Sequence, residues 1–96
     1  MSIVINLHLK AADGQYDALH AALTAILPDT AARAGAELVS CMANPDDQSF
    51  VVHEVWDKKD SQEAYIAWRV ERGDIDTLVA MLREPPVFVE MEHLRF

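Results

Sequence analysis

The chain has 96 residues, 51% of them hydrophobic, and carries a net charge of −8 with a pI near 4.7. That length allows one domain with more apolar surface than a small chain easily hides, and the acidic balance speaks against electrostatic binding to nucleic acid or an anionic membrane. Cys41 is the only cysteine, so there is no disulfide framework and no thiolate cluster for zinc or iron–sulfur, which fits a reducing, cytoplasmic setting.

No basic leader with an apolar core precedes the first strand and no apolar run approaches membrane-spanning length, so a soluble protein is expected. Ile3 to Lys10 alternates, with Ile3, Ile5, Leu7 and Leu9 on one face and Val4, Asn6, His8 and Lys10 on the other. Asp13 is expected to cap a helix in which Tyr16, Leu19, Leu23, Ile26 and Leu27 follow helical spacing. Pro28 should end or kink it before a short continuation to Gly35. Ala36 to Ala43 reads as a second strand, joined through the turn Asn44-Pro45-Asp46-Asp47 to a third, Phe50 to Trp56.

The third strand is apolar on both faces, Phe50, Val52 and Trp56 on one and Val51 and Val55 on the other, which marks it as central. Asp60 followed by Glu63 predicts a capping box opening a helix to Arg72, with Ala64, Tyr65 and Trp68 at helical spacing and Gly73 as its stop. Asp74 then caps a helix with Ile75, Leu78, Val79 and Leu82 on one side, closed by Pro85-Pro86, and Val87 to Phe96 is the last strand. The order βαββαβ, with the second helix split at Gly73, predicts a single α+β domain over residues 1–96: ferredoxin-like, with a four-stranded antiparallel sheet. Its helices cover one sheet face, yet the Ile3/Ile5/Leu7/Leu9 row and the Val51/Val55 row ask for burial on both. A second copy of the sheet is the simplest cover, giving a homodimeric α/β barrel with a pocket between sheet and helices in each subunit.

The run HEVWDKKDSQEAYIAWRVERGD, followed by a short helix, Pro-Pro and a terminal strand, resembles the antibiotic biosynthesis monooxygenase family of dimeric α/β barrels, including its quinol monooxygenase-like members. The resemblance covers nearly the whole chain. It implies cofactor-independent oxidation of a quinol-like or polyketide-like aromatic by dioxygen. In related haem-degrading members, an Asn on the first strand and a Trp in the helix after the third strand line the pocket, and Asn6 and Trp68 match them. The haem-ligating His of those enzymes has no counterpart in the segment Gly73 to Leu78. Trp56 and Tyr65 resemble a Trp and a Tyr in the pocket of polyketide-tailoring members, although Lys58, Lys59 and Asp60 lengthen the connection between them.

Each of these residues also has a plainer role. The two-sided amide of Asn6 suits either a hydrogen-bond network or a phenol or quinone oxygen. Trp56, Tyr65 and Trp68 are core packing or a flat slot for a planar substrate. Glu54 is a buried base with a raised pKa, or a carboxylate paired with Arg69 or Arg72. His8 shares the parity of Asn6 and is the histidine placed for proton transfer, whereas His53 is expected at the dimer interface and His20 and His93 at the surface or interface. Arg69 is expected to border the pocket mouth. Asn6, Trp56, Tyr65 and Trp68 should line one cavity, with His8 at its polar end.

No glycine-rich phosphate loop, ligand-spaced histidine pair or nucleophile elbow occurs, so neither a nucleotide cofactor nor a metal is expected. An oxygenase built this way must draw its electrons from the substrate, holding it flat and taking one proton. The alternatives are a non-catalytic dimeric barrel that binds a small hydrophobic metabolite, and a haem-binding or haem-degrading relative.

Overall fold

Four strands form one antiparallel sheet in the order β2-β3-β1-β4 in the computed structural model, which describes residues 2–96. The strands are β1 (Ile3–Lys10), β2 (Ala36–Asn44), β3 (Ser49–Trp56) and β4 (Val87–Glu92), and the helices are α1 (Tyr16–Ala31), α2 (Lys59–Arg72) and α3 (Asp74–Val79). This is the expected ferredoxin-like α+β arrangement. Among the described residues no helix is long and apolar enough to cross a membrane.

Several element ends differ from the sequence reading, each for a local reason. Asp13 does not cap α1: the chain turns through Ala12, whose carbonyl accepts the Gln15 N–H at 2.9 Å, and Gln15 is the N-cap without a side-chain cap bond. Pro28 lies inside α1 and the helix runs on to Ala31. So near a helix end a proline forfeits little ladder beyond it. The capping box at Asp60 does not form either. Helix α2 starts one residue earlier, after an extended Lys58, which leaves the Asp60 carboxylate in the first turn near the positive end of the helix dipole.

Helix α3 stops at Val79 because the following residues pair with the end of β1: Ala11 bridges Leu82, and the Arg83 N–H donates to the Lys10 carbonyl at 2.9 Å. Strand β4 ends at Glu92, which pairs with Ile3, the first residue of β1. Beyond it the His93 N–H still donates to the Ser2 carbonyl at 3.4 Å, but among the described residues β1 offers nothing further to pair with the chain toward Phe96. Two glycines are required where they stand. Gly73, at φ 82°, takes the left-handed conformation that closes α2 and opens α3. Gly35, at φ 90°, lies so close to the first turn of α2 that a Cβ there would sit 2.5 Å from the Ser61 Cβ.

The register sorts the sheet into two faces. Ile5, Leu7 and Leu9 of β1 and Phe50, Val52 and Trp56 of β3 lie on the helix-covered face. There they form two core clusters, one with Leu19, Leu23 and Leu78 and one with Tyr65. The row Ile3/Ile5/Leu7/Leu9 is thus covered by the chain's own helices, which corrects its assignment as the surface needing a second copy. The face without helices carries instead Val4, Asn6 and His8 beside Val55, His53 and Val51, with Met91, Val89 and Val87 on the other flank. Leu38 and Met42 of β2 extend it, about half exposed. On the helix side β4 is poorly covered, so Phe88 remains 45% exposed.

Candidate functional site

Where the helices meet the sheet, a small cavity of about 30 Å³ has an otherwise apolar wall interrupted by Glu54, Tyr65, Arg69 and Asp74. That space holds about one or two waters and no aromatic ring. Beside it, between α2 and strands β1 and β4, opens a cleft of about 450 Å³ floored by Ile5, Ile66, Ala67 and Phe88 and edged by Lys59, Gln62, Glu63 and Glu90. Ile66 and Phe88 belong to the walls of both. Glu54, Ile5 and Glu90 form one cross-strand row, which sets the carboxylate one strand inward from the cleft floor. The cleft is in the size range of ligand sites; the cavity is not.

Two buried polar systems define this region. Glu54 is 4% exposed, and the Trp56 indole Nε1–H donates to its Oε1 at 2.9 Å. Burial pushes its carboxyl above the ordinary 4.5, against the opposing pull of the Trp56 bond and the Arg69 charge. Arg69, 1% exposed, ties three helices together. Its Nε donates to the Tyr65 hydroxyl at 2.9 Å, its Nη1 to Asp74 Oδ2 at 2.8 Å and its Nη2 to the Ile26 carbonyl at 2.8 Å. The Tyr65 and Thr30 hydroxyls share a further hydrogen bond of 2.6 Å. The Arg69 bond, with help from Arg72, holds the Asp74 carboxyl below its ordinary 3.8. Arg69 is therefore a buried strut whose guanidinium reaches the cavity wall, rather than a residue at a pocket mouth.

The residues singled out from sequence separate into three groups. Trp56 and Tyr65 do meet, with ring centroids 5.2 Å apart, next to Glu54 and Arg69. Trp68 is half-buried behind Tyr65 and outside the walls of cavity and cleft, enclosed by the guanidiniums of Arg33, Arg69 and Arg72 at 4.3, 4.6 and 4.9 Å from its ring centre. Asn6 and His8 lie on the opposite sheet face, where His53 Nδ1 donates to the Asn6 amide oxygen at 2.7 Å. The single cavity expected to hold Asn6, Trp56, Tyr65, Trp68 and His8 is thus not formed. The reason is strand alternation: Asn6 pairs with His53, whereas Trp56 pairs with Ile3 on the other face. His53 does lie on the helix-free face as its parity predicted.

Gln62, Ile66, Lys59 and the β4 pair Phe88 and Glu90 were not singled out from sequence. A signal existed for two of them, because Gln62, Tyr65, Ile66 and Arg69 fall at i, i+3, i+4 and i+7 on α2 and so share its inward face. Nothing local marked Phe88 and Glu90, whose place in the cleft depends on β4 pairing with β1. Among the described residues no cluster of His, Cys, Asp and Glu is arranged to hold a metal ion.

No family model matches the chain, and no curated protein matches it in sequence. Solved structures do match its fold. Rv0793 from Mycobacterium tuberculosis superposes with a TM-score of 0.89 at 14% identity, over 100% of this chain and 98% of that one. A candidate antibiotic biosynthesis monooxygenase from Deinococcus radiodurans gives 0.85 at 18% identity, over 98% and 94%. NE2512 from Nitrosomonas europaea, a protein of unknown function, gives 0.85 at 20% identity, over 99% and 91%. The chain therefore has the fold of structures assigned to antibiotic biosynthesis monooxygenases, as its resemblance implied.

Proposed function

We propose that the protein is a cofactor-independent monooxygenase that oxidises a quinol-like or polyketide-like aromatic with dioxygen at the cleft beside α2, Glu54 accepting the proton. The observation that carries this reading is Glu54 itself. It is a nearly sealed carboxylate in an apolar wall, held by one indole N–H and pushed up in pKa by burial. A carboxylate so placed accepts a hydroxyl proton more readily than one in water, which makes an electron-rich aromatic more reactive toward oxygen. The shared fold of monooxygenase-assigned structures supports the same chemistry.

For a quinol the balance is quinol plus dioxygen to hydroxyquinone plus water. One oxygen atom enters the ring, the other leaves as water, and all four electrons come from the substrate. The ring lies on Ile5, Ile66 and Phe88 with its hydroxyl directed inward. Ile66 and Phe88 part to bring that hydroxyl to Glu54, since the cavity of about 30 Å³ behind them is too small for a ring. Trp56 holds the carboxylate oxygen, while Arg69 and Tyr65 keep a positive charge and a hydroxyl near the developing anion. A homodimer joined through the helix-free face, in a reducing cytoplasmic setting, completes the proposal. Val4, Val51, Val55, Val89 and Met91 supply the apolar contact, and Asn6, His8 and His53 lie within it.

The test is oxygen uptake with 1,4-naphthohydroquinone, mixed anaerobically and then aerated, together with product mass after labelling with heavy dioxygen. Uptake above autoxidation, with one labelled atom in the product, is expected, and Glu54→Gln should lower the rate by roughly a hundredfold, the scale of one general base. The small cavity favours one competing reading, a barrel that binds a hydrophobic metabolite without turning it over. Naphthohydroquinone binding with no label incorporated would establish that reading instead.

A further inference from the structure

We infer that the cleft between α2 and β4 selects an uncharged, flat, apolar molecule bearing a hydroxyl or carbonyl oxygen beside any hydroxyl directed at Glu54, and that the side-chain amide of Gln62 is what recognises that oxygen. The inference deepens the oxygenase reading and rests on it for the identity of the cleft as the substrate site. Binding itself needs no turnover.

Gln62 is 6% exposed, yet its amide makes no hydrogen bond to any described residue, although it lines the cleft. The contrast with its neighbours is sharp. Thr30, Glu54, Tyr65 and Arg69, the other buried polar groups around α2, all have partners at 2.6 to 2.9 Å. Every fully sealed polar side-chain atom among the described residues is satisfied, so the Gln62 amide atoms are not sealed and are open to a partner from the cleft that Gln62 lines. Before a ligand binds, water can partner that amide; an apolar ligand that displaces the water strands it, whereas a ligand oxygen in the same place keeps the bond. A carboxamide offers an N–H₂ donor and a carbonyl acceptor, so a hydroxyl satisfies either half and a carbonyl oxygen satisfies the donor.

The rest of the cleft defines the molecule. Ile5, Ile66, Ala67 and Phe88 give it an apolar floor with one aromatic face. Charge is discouraged at the rim. Glu63 and Glu90 are negative, and Lys59, the cation there, is already engaged by Glu90 in an ion pair that raises its pKa. A carboxylate or phosphate substituent would therefore meet two anions and an occupied lysine in a chain of net charge −8.

Calorimetric titration of the whole protein at neutral pH with 2-naphthol, naphthalene and 2-naphthoate tests this. 2-Naphthol should bind about fivefold more tightly than naphthalene, the worth of one neutral hydrogen bond, and 2-naphthoate more weakly than either. Gln62→Leu should erase the preference for 2-naphthol while naphthalene binding persists. Glu90→Gln, at the exposed rim, should free Lys59 and raise affinity for 2-naphthoate, which keeps the test available should Gln62→Leu fail to fold. Equal affinity for 2-naphthol and naphthalene, or a preference that survives Gln62→Leu, would overturn the assignment. Gln62-dependent binding of 2-naphthol with no oxygen uptake from naphthohydroquinone sinks only the oxygenase reading.

Discussion

Replacing Arg69 by Leu removes the strut that joins α1, α2 and α3. The side chain is 1% exposed and donates to Tyr65, Asp74 and the Ile26 carbonyl at 2.8 to 2.9 Å, with a weaker bond to Thr30 at 3.3 Å. A buried ion pair that loses one partner usually costs about 3–5 kcal/mol because the other charge is left bare. Here the abandoned groups keep other partners. Asp74 retains Arg72 at 3.1 Å, the Tyr65 and Thr30 hydroxyls retain each other at 2.6 Å, and the Ile26 carbonyl retains the Thr30 hydroxyl at 3.4 Å. The loss is then about 2–4 kcal/mol, from charge-assisted hydrogen bonds and the stacking of Arg69 on Trp68. For a domain of this size that lowers Tm by roughly 10–25 °C. Arg69→Lys should recover only part of it, since an ammonium cannot span all three helices. Arg72→Ala, at the exposed end of the same carboxylate, should cost less than about 1 kcal/mol. Urea unfolding followed by circular dichroism at fixed protein concentration measures each difference. If Arg69→Leu costs no more than Arg72→Ala, the strut account is wrong.

Three further outcomes follow from the same structure. The raised carboxyl of Glu54 binds its proton more tightly in the folded state than in the unfolded one. Its penalty is absent below the ordinary 4.5 and grows as pH rises through the raised value. Thermal melts of Glu54→Gln against wild type should show an advantage for the variant that widens upward from that point; a pH-independent difference would contradict it. Asp74 has the opposite sign and a separate window: its contribution is fully present above 3.8 and is lost as pH falls through the depressed value. At the proposed dimer face, Val89→Asp should yield a folded monomer by light scattering and circular dichroism, whereas Ile5→Asp, buried at 2% exposure against the helices, should unfold the chain. A wild-type protein that is monomeric at micromolar concentration would remove the dimer from the proposal.

The pattern of the chain was sufficient for the elements, their order and the fold. Alternation at Ile3 to Lys10, the doubly apolar β3 and the helical spacing of Ala64, Tyr65 and Trp68 are local periodicities, and each element type depends on nothing more distant. The same patterns placed Glu54, Trp56, Tyr65 and Arg69 near one another through their β-to-α passage. What a single strand does not reveal is which of its faces meets the helices. With the apolar row of β1 given to a partner sheet, Asn6 could be assigned to a pocket under the helices, and only the register with Trp56, His53 and Val89 sends it to the other side. The cleft likewise depends on β4 pairing with β1, which brings Phe88 and Glu90 from the end of the chain to α2. The capping signals at Asp13 and Asp60 were outweighed by the turn at Ala12 to Gln15 and by the extended Lys58, which set where each helix starts. Periodicity is written in neighbouring residues, so the sequence alone determined it. Facing, register and the unpartnered amide of Gln62 arise from contacts between residues distant along the chain, and only the tertiary structure decided them.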